Sequence, residues 1–279
     1  MTAKNTYLIL AFLILVCCCH TQAQKTTNDP VGSAKNLFGK NLVINIFVTQ
    51  RRQWDEREKI YALADEQTGF QWLLRQQRLW NVTGNSFDTL NYGAEKDKDI
   101  VVDKIYAFDD KKAMTQEGSL TSIVLKAMGI TNSRAFYDSV KKARQADNVC
   151  IMLFFNKTGR SYAQPAFGDF WWNRSLETAV VYHFDDAGKV LTAGTIIHEM
   201  LHLFGAWDMY HSETRTSDID ASIGSVFRNS IMLESHQEIA TKNIDQLTAW
   251  RIGWMTTYRN WYEMFRSANP AEKWDKIPL

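Results

Sequence analysis

Cysteine and proline are both scarce in this chain of 279 residues, which has four of each. Three of the cysteines lie together at Cys17 to Cys19, so Cys150 alone remains if the N-terminal segment is removed. A single cysteine cannot form a disulfide within the domain. Cys150 lies in the apolar run NVCIMLFF, which predicts a buried strand and a packed thiol rather than a nucleophile.

The chain also has no large excess of positive or negative charge. The net charge is +1, and 32 basic residues are interleaved with 31 acidic ones. This balance argues against an electrostatic surface for nucleic acid or membrane, so we expect no nucleic-acid partner. The chain has no repeats, and its hydrophobic content of 45% is typical of a soluble globular protein. We expect most of the aromatic rings, including the neighbouring Trp171 and Trp172, to pack in the core or in loops.

The N-terminus has no apolar run of comfortable length for a membrane span. Its run YLILAFLILVCCC, from Tyr7 to Cys19, follows Lys4, and this order is typical of a secretory signal peptide. The small residues before Gln24 suit cleavage at that point. Alternatively, LVCC resembles a loose bacterial lipobox in which Cys18 or Cys17 carries a lipid. In both cases we expect the protein to leave the cytosol, either secreted or lipid-anchored to the cell envelope, and to touch the membrane only through such an anchor.

Three segments follow from these patterns. Residues 1–23 are predicted to be a signal peptide of the ordinary or the lipoprotein type. Residues 24–40 are largely polar, contain Pro30 and Gly32, and are predicted to form a flexible leader. Residues 41–279 suit one domain with a substantial core.

Strand and helix patterns alternate along this domain, which indicates an α/β or α+β sheet fold. Strands are predicted at Asn41–Thr49, Val149–Phe155 and Ala179–Phe184, with weaker extended segments at Asp99–Phe108 and Ser161–Phe167. Helices are predicted over Arg51–Trp80, with Gly69 as a candidate break, twice within 120–146 on either side of Gly129, and over Leu191–Phe204.

The last of these helices carries the run HEMLHLFGAWD. His198 and His202 are four residues apart, so they lie on one helix face, where two imidazoles can bind one Zn²⁺ at about 2 Å each. Glu199 is placed to take a proton from a metal-bound water. Gly205 can end the helix sharply, after which Asp208 can supply a third ligand. Two histidines and a glutamate on a mostly apolar helix would be costly to bury without a metal or ion partners.

At these residues the chain resembles the metzincin clan of zinc peptidases, whose motif is HExxHxxGxx followed by His or Asp. The clan also has a methionine-containing turn beneath the zinc, and Asn229 to Met232 resembles it, with the methionine 24 residues after Asp208. The third ligand is then Asp208 rather than the commoner histidine. His211 is the rival third ligand, and we favour Asp208 because its spacing fits the motif.

The resemblance covers roughly the second half of the chain. It implies an α+β fold with a twisted mixed sheet, an antiparallel edge strand at Ser161–Phe167, a long backing helix, an active-site helix and a closing helix over Asn243–Trp254. Residues 41–279 would then be a metallopeptidase catalytic domain. Some members carry a tyrosine two residues after the methionine, where this chain has Glu234. Tyr210 and Tyr258 are the candidates for stabilising the oxyanion, and the sequence does not decide between them.

The function that the resemblance implies is zinc-dependent endopeptidase activity with one catalytic Zn²⁺, Glu199 as general base and a protein or peptide as substrate. One alternative is a surface binding or adhesion module that keeps the zinc site without turnover. Another is a zinc hydrolase that acts on something other than protein. The pattern gives neither the substrate preference nor the oligomeric state.

Overall fold

The computed structural model describes residues 32–34, 36–96, 98–102, 120–164, 176–210 and 215–265. The predicted signal peptide and most of the predicted leader lie outside the described residues, as do Trp171, Trp172 and His211. Within the described ranges, no helix combines the length and the hydropathy that crossing a membrane requires.

A mixed six-stranded sheet lies at the centre of the domain. Its main path runs in the order β2-β1-β4-β6-β5, and β3 also pairs with β1. The strands are β1 (Lys40–Thr49), β2 (Ser86–Tyr92), β3 (Ile100–Val101), β4 (Asn148–Thr158), β5 (Tyr162–Gln164) and β6 (Thr178–Phe184). Every pairing is parallel except that of β5 with β6, so the sheet has an antiparallel edge. The prediction of an α+β domain with a mixed sheet and an antiparallel edge strand is confirmed.

Helices cover both faces of this sheet. They are α1 (Glu56–Leu79), α2 (Leu120–Ala127), α3 (Ser133–Arg144), α4 (Ala193–Leu203), α5 (Ser217–Val226) and α6 (Gln246–Arg251), with 3-10 helices at Ile239–Thr241 and Asn260–Phe265. Alternate residues of β1 enter different cores: Val43 packs on the side of α1 and α4, and Leu42 on the side of α2 and α3. The nearly continuous burial of β1 and β4 follows from this two-sided cover.

Most of the predicted elements are present, with shifted ends. The closing helix predicted over Asn243–Trp254 is shorter, because the Asp245 side chain caps its start and Gly253 ends it at a φ of 86°. The extended segment at Asp99–Phe108 forms only the two residues of β3 among its described part. Strand β2 and helix α5 were not predicted.

Cys150 lies in β4 and is fully buried. Burial is the main cause that raises the pKa of its thiol, with smaller contributions from the charges of Glu177 and Glu66. A buried thiol with a raised pKa is a poor nucleophile. The prediction of a packed cysteine is therefore supported.

Helix α1 lies directly against α4. A Cβ atom built on Gly69 would overlap Ile197 Cγ1, so a larger residue there would have to displace the Ile197 side chain of α4. The long helix begins at a capping box, in which the Asp55 side chain accepts from the backbone and the Glu58 side chain accepts from Asp55 N. Gly69 does not interrupt it.

Glu66 is the buried acid of α1. Its Oε2 accepts a hydrogen bond of 2.6 Å from Asn45 Nδ2, whereas its Oε1 has no hydrogen-bond partner among the described residues. Burial raises the pKa of Glu66 from 4.5 to about 8, against the lowering effect of the bond from Asn45. The folded chain therefore holds this carboxyl protonated at neutral pH.

We expect the free energy of unfolding to fall as the pH rises from about 4.5 to about 8, because the unfolded chain releases the Glu66 proton in this window and the folded chain keeps it. One pKa unit corresponds to about 1.4 kcal/mol, so this loss is on the order of 4 kcal/mol. Glu66→Gln is expected to remove this pH-dependent loss, so the variant should be more stable than wild type at pH 8. Urea unfolding across this pH range measures the effect. Glu56→Gln, on the exposed side of the same helix, is the control and should keep the wild-type dependence of the free energy of unfolding on pH. If Glu66→Gln also keeps that dependence, the Glu66 carboxyl is not its source.

Candidate metal centre

Helix α4 carries two of the candidate ligands, His198 and His202, with Glu199 between them. The Thr192 side chain caps its start by accepting from Thr195 N at 3.3 Å. Ten of its eleven residues are buried, and His202 is the exception. Its apolar composition follows from this burial, and its buried polar side chains are those of Thr195, His198 and Glu199.

Three ligand atoms converge at the end of this helix. The Nε2 atoms of His198 and His202 lie 3.2 Å apart, and Asp208 Oδ1 lies 3.2 Å from the first and 3.0 Å from the second. Ligands of a tetrahedral zinc ion, at bond lengths near 2.0–2.1 Å, lie about 3.3 Å from each other. The spacing therefore fits one metal ion, and these three residues can hold it.

Backbone carbonyls set the orientation of both imidazoles. Nδ1 of His198 lies 3.0 Å from the Ile231 carbonyl oxygen, and Nδ1 of His202 lies 2.9 Å from that of Ala206. We assign a proton to each Nδ1 from these contacts, so both Nε2 atoms direct lone pairs at Asp208. With both Nε2 atoms unprotonated, the three groups are acceptors that face one another, so a cation between them, either a proton or a metal ion, can satisfy all three.

Protons compete with a metal at this centre. Burial lowers the pKa of His202, but the hydrogen bond and charge of Asp208, with the charge of Glu199, outweigh it and raise the value to about 9. Burial alone would raise the pKa of Asp208, yet the two histidines hold it well below its usual range. A metal ion must displace a proton here, so we expect metal affinity to fall as the pH falls.

The turn after α4 returns the chain to the histidines. Gly205 adopts a φ of 96°, as predicted for a glycine that ends the helix, and Ala206 N donates to the Leu201 carbonyl at 3.1 Å. Arg251 of α6 donates through Nε to the Gly205 carbonyl at 2.6 Å, and its guanidinium lies 4.2 Å from the centre of a ring of Trp207. Asp208 is thus placed by a turn that a distant arginine supports.

Met232 is fully buried in a turn that contacts both sides of the centre. The preceding carbonyl is the one that binds His198, and the Met232 carbonyl accepts from Met209 N at 2.9 Å. Ser230 Oγ donates to Asp245 Oδ2 at 2.6 Å and accepts from Met232 N, which ties the turn to the start of α6. This turn therefore contacts the His198 ring through one carbonyl and the residue after Asp208 through the next.

Glu199 is 6% exposed and adjoins the first ligand in the chain. Burial is the main cause that raises its pKa, and the charge of Asp208 raises it further, whereas the nearby His198, His202 and Arg160 lower it. Two clefts meet at this carboxyl, one of about 770 Å³ and one of about 370 Å³. We call them the larger and the smaller cleft. Both are lined by Arg160, Ser161, Glu199 and Tyr210.

The two tyrosines that are candidates for stabilising the oxyanion lie in different surroundings. Tyr210 lines both clefts, and its hydroxyl donates to Asp208 Oδ2 at 2.6 Å. Tyr258 instead packs against Trp250 and Tyr262, with ring centres 5.4 and 5.9 Å away. Of the two, Tyr210 is the one at the centre.

The sequence singles out two further residues near the motif. Glu234, which stands where some metzincins carry tyrosine, lines the larger cleft and accepts a bond from Gln237 Nε2 at 2.6 Å. His211, the rival third ligand, lies outside the described residues. Among the described residues, Asp208 is the carboxylate that completes the group with the two histidines.

Comparisons with known proteins add no residue to the candidate centre. No family model matches the sequence, and no curated protein or solved structure matches it significantly.

Proposed function

We propose that this chain is a zinc-dependent endopeptidase of the metzincin type, exported from the cytosol and either secreted or lipid-anchored. One observation carries the proposal: three ligand atoms lie 3.0–3.2 Å apart beside a buried glutamate, at the junction of two clefts. The motif that runs from His198 to Asp208, with the turn at Met232, supports the assignment to the clan.

The donor set favours zinc over the other common ions. Two imidazole nitrogens and one carboxylate oxygen are frequent ligands of catalytic Zn²⁺, which keeps a fourth position for water or substrate. Mg²⁺ and Ca²⁺ prefer sites made of oxygen ligands. The inward Nε2 atoms of His198 and His202 therefore support zinc.

The mechanism assigns separate tasks to the groups at the centre. A zinc ion held by His198, His202 and Asp208 would supply Lewis acidity, which would polarise a scissile carbonyl and lower the pKa of a water molecule toward about 7. Glu199 accepts the proton of the attacking water and passes it to the leaving amine. Its burial raises its pKa, which suits a group that must first take a proton and then return it. Tyr210 holds Asp208 through its hydroxyl and borders the space for the substrate.

The clefts favour an endopeptidase with an extended substrate. Glu199 lines both of them, so a peptide that occupies both clefts would extend beyond the reacting bond. The short strand β5 is at the end of the sheet path, and the neighbouring Arg160 and Ser161 line both clefts. A peptide that adds to such an edge binds largely through its main chain.

Digestion of casein and of a mixed peptide library by the purified, zinc-loaded protein tests this function. We expect cleavage within chains, loss of cleavage on chelation and recovery when zinc is returned. Bound zinc with no cleavage of any substrate would contradict the proposal and favour a binding or adhesion module. Chelator-sensitive hydrolysis of non-peptide esters alone would instead indicate a different zinc hydrolase.

A further inference from the structure

Arg160 lies where the two clefts meet, in the segment between β4 and β5. Its side chain is exposed, and its guanidinium carbon lies 5.5 Å from the centre of the Tyr210 ring. The hydroxyl of that ring is bonded to Asp208. Arg160 thus borders the candidate metal centre without being one of its ligands.

No carboxylate of the described residues forms an ion pair with Arg160. Asp208 pairs with the two ligand histidines instead. Asp185 of the larger cleft accepts two backbone N–H groups of its own turn. The guanidinium lies over the Tyr210 ring and also hydrogen-bonds with the side chain of that residue, but its five N–H groups leave donors for a further partner. An exposed arginine held in this way is suited to bind a carboxylate through two parallel N–H bonds.

The charges around the smaller cleft point to an anionic ligand. Apart from His202, Asp208 and Glu199, Arg160 is the one charged residue among its described lining. The two positive charges of a zinc ion would balance Asp208 and Glu199, so Arg160 would leave this cleft with a net positive charge. Its volume of about 370 Å³ is enough for one or two amino-acid residues.

We propose that Arg160 binds a side-chain carboxylate of the substrate in the smaller cleft, so that the enzyme prefers peptides with Asp or Glu close to the scissile bond. This inference depends on the proposed peptidase function. It names the substrate class of the same site: acidic segments of protein chains.

A scan with matched peptides tests the proposal. In a series of alanine-rich peptides, Glu or Gln is placed at each position in turn, and kcat/KM is measured for each pair. We expect one position near the scissile bond to favour Glu about tenfold, the low end for a hydrogen bond to a charged group at an exposed site. Arg160→Gln should bring this ratio to about one, and Arg160→Lys should keep part of it. The same pairs are then bound to the Glu199→Gln protein, with and without Arg160→Gln, to compare Kd.

Arg228→Gln is the matched control, because Arg228 is an exposed cation that lines only the larger cleft. It should retain the preference for Glu. A wild-type ratio of one at every position, or a tenfold ratio that survives Arg160→Gln, would overturn the role of Arg160 while leaving the peptidase function intact. If wild type cleaves no peptide, the proposed function fails, and equal Kd values for Glu and Gln peptides then refute the carboxylate site as well.

Discussion

Glu199→Gln is expected to abolish peptide hydrolysis while zinc remains bound. The amide has nearly the same shape as the carboxyl and fits the same buried position, but it cannot accept a proton from water. The ligand atoms belong to other residues, so the metal should stay. General acid–base catalysis by one residue contributes about 10²- to 10⁴-fold, and we expect kcat to fall by at least that much.

The measurement pairs zinc content with kcat on one peptide for wild type and variant. Glu238→Gln makes the same chemical change at an exposed glutamate outside both clefts, and it should keep the wild-type rate. A zinc-loaded Glu199→Gln protein that cleaves at the wild-type rate would remove Glu199 from the mechanism. Loss of zinc from this variant would instead make Glu199 part of the metal site.

Asp208→Ala is expected to lower the affinity for zinc by more than about 100-fold and to abolish activity with it. Changes at groups that only orient ligands already cost about 10- to 100-fold, and this change removes a ligand. It also leaves two inward-facing imidazole nitrogens without their carboxylate. Competition with a chromogenic chelator gives the zinc affinity of each variant.

His211→Ala is the control that decides between the rival third ligands. With Asp208 as the ligand, His211→Ala should bind zinc as wild type does. The opposite pattern, in which His211→Ala loses zinc and Asp208→Ala keeps it, would transfer the role to His211.

The local part of the candidate site could be predicted because it depends on short spacings. A separation of four residues places His198 and His202 on one face of any α-helix, and burial of that helix was implied by its apolar neighbours. The left-handed turn at Gly205 was expected for the same kind of reason, since glycine adopts a positive φ at little cost.

The supporting contacts could not be predicted, because they join residues that are distant in the chain. Nothing in the run around Arg251 indicates that its side chain donates to the Gly205 carbonyl, 46 residues away. The bond between Ser230 and Asp245 depends in the same way on how the last helix packs. Arg160 was missed because a single arginine in a loop resembles any exposed cation.

Strand β2 shows the corresponding limit for the fold. Its sequence SFDTLNY is short and half polar, and its residues are only partly buried, so the periodic pattern that indicates a strand is weak. It is held by parallel pairing with β1, a contact between separate parts of the chain. The central strands β1 and β4 were predictable because burial on both faces gives each an apolar stretch, LVINIFV in β1 with one asparagine and VCIMLFF in β4.

The most direct test of a single catalytic zinc site is a titration of the metal-free protein with zinc, in which bound metal and peptide cleavage are measured in the same samples. The proposed function predicts that cleavage rises in proportion to bound zinc and stops rising at one equivalent per chain. Cleavage that proceeds at full rate before zinc is added, or one tightly bound equivalent with no cleavage at the end point, would contradict it.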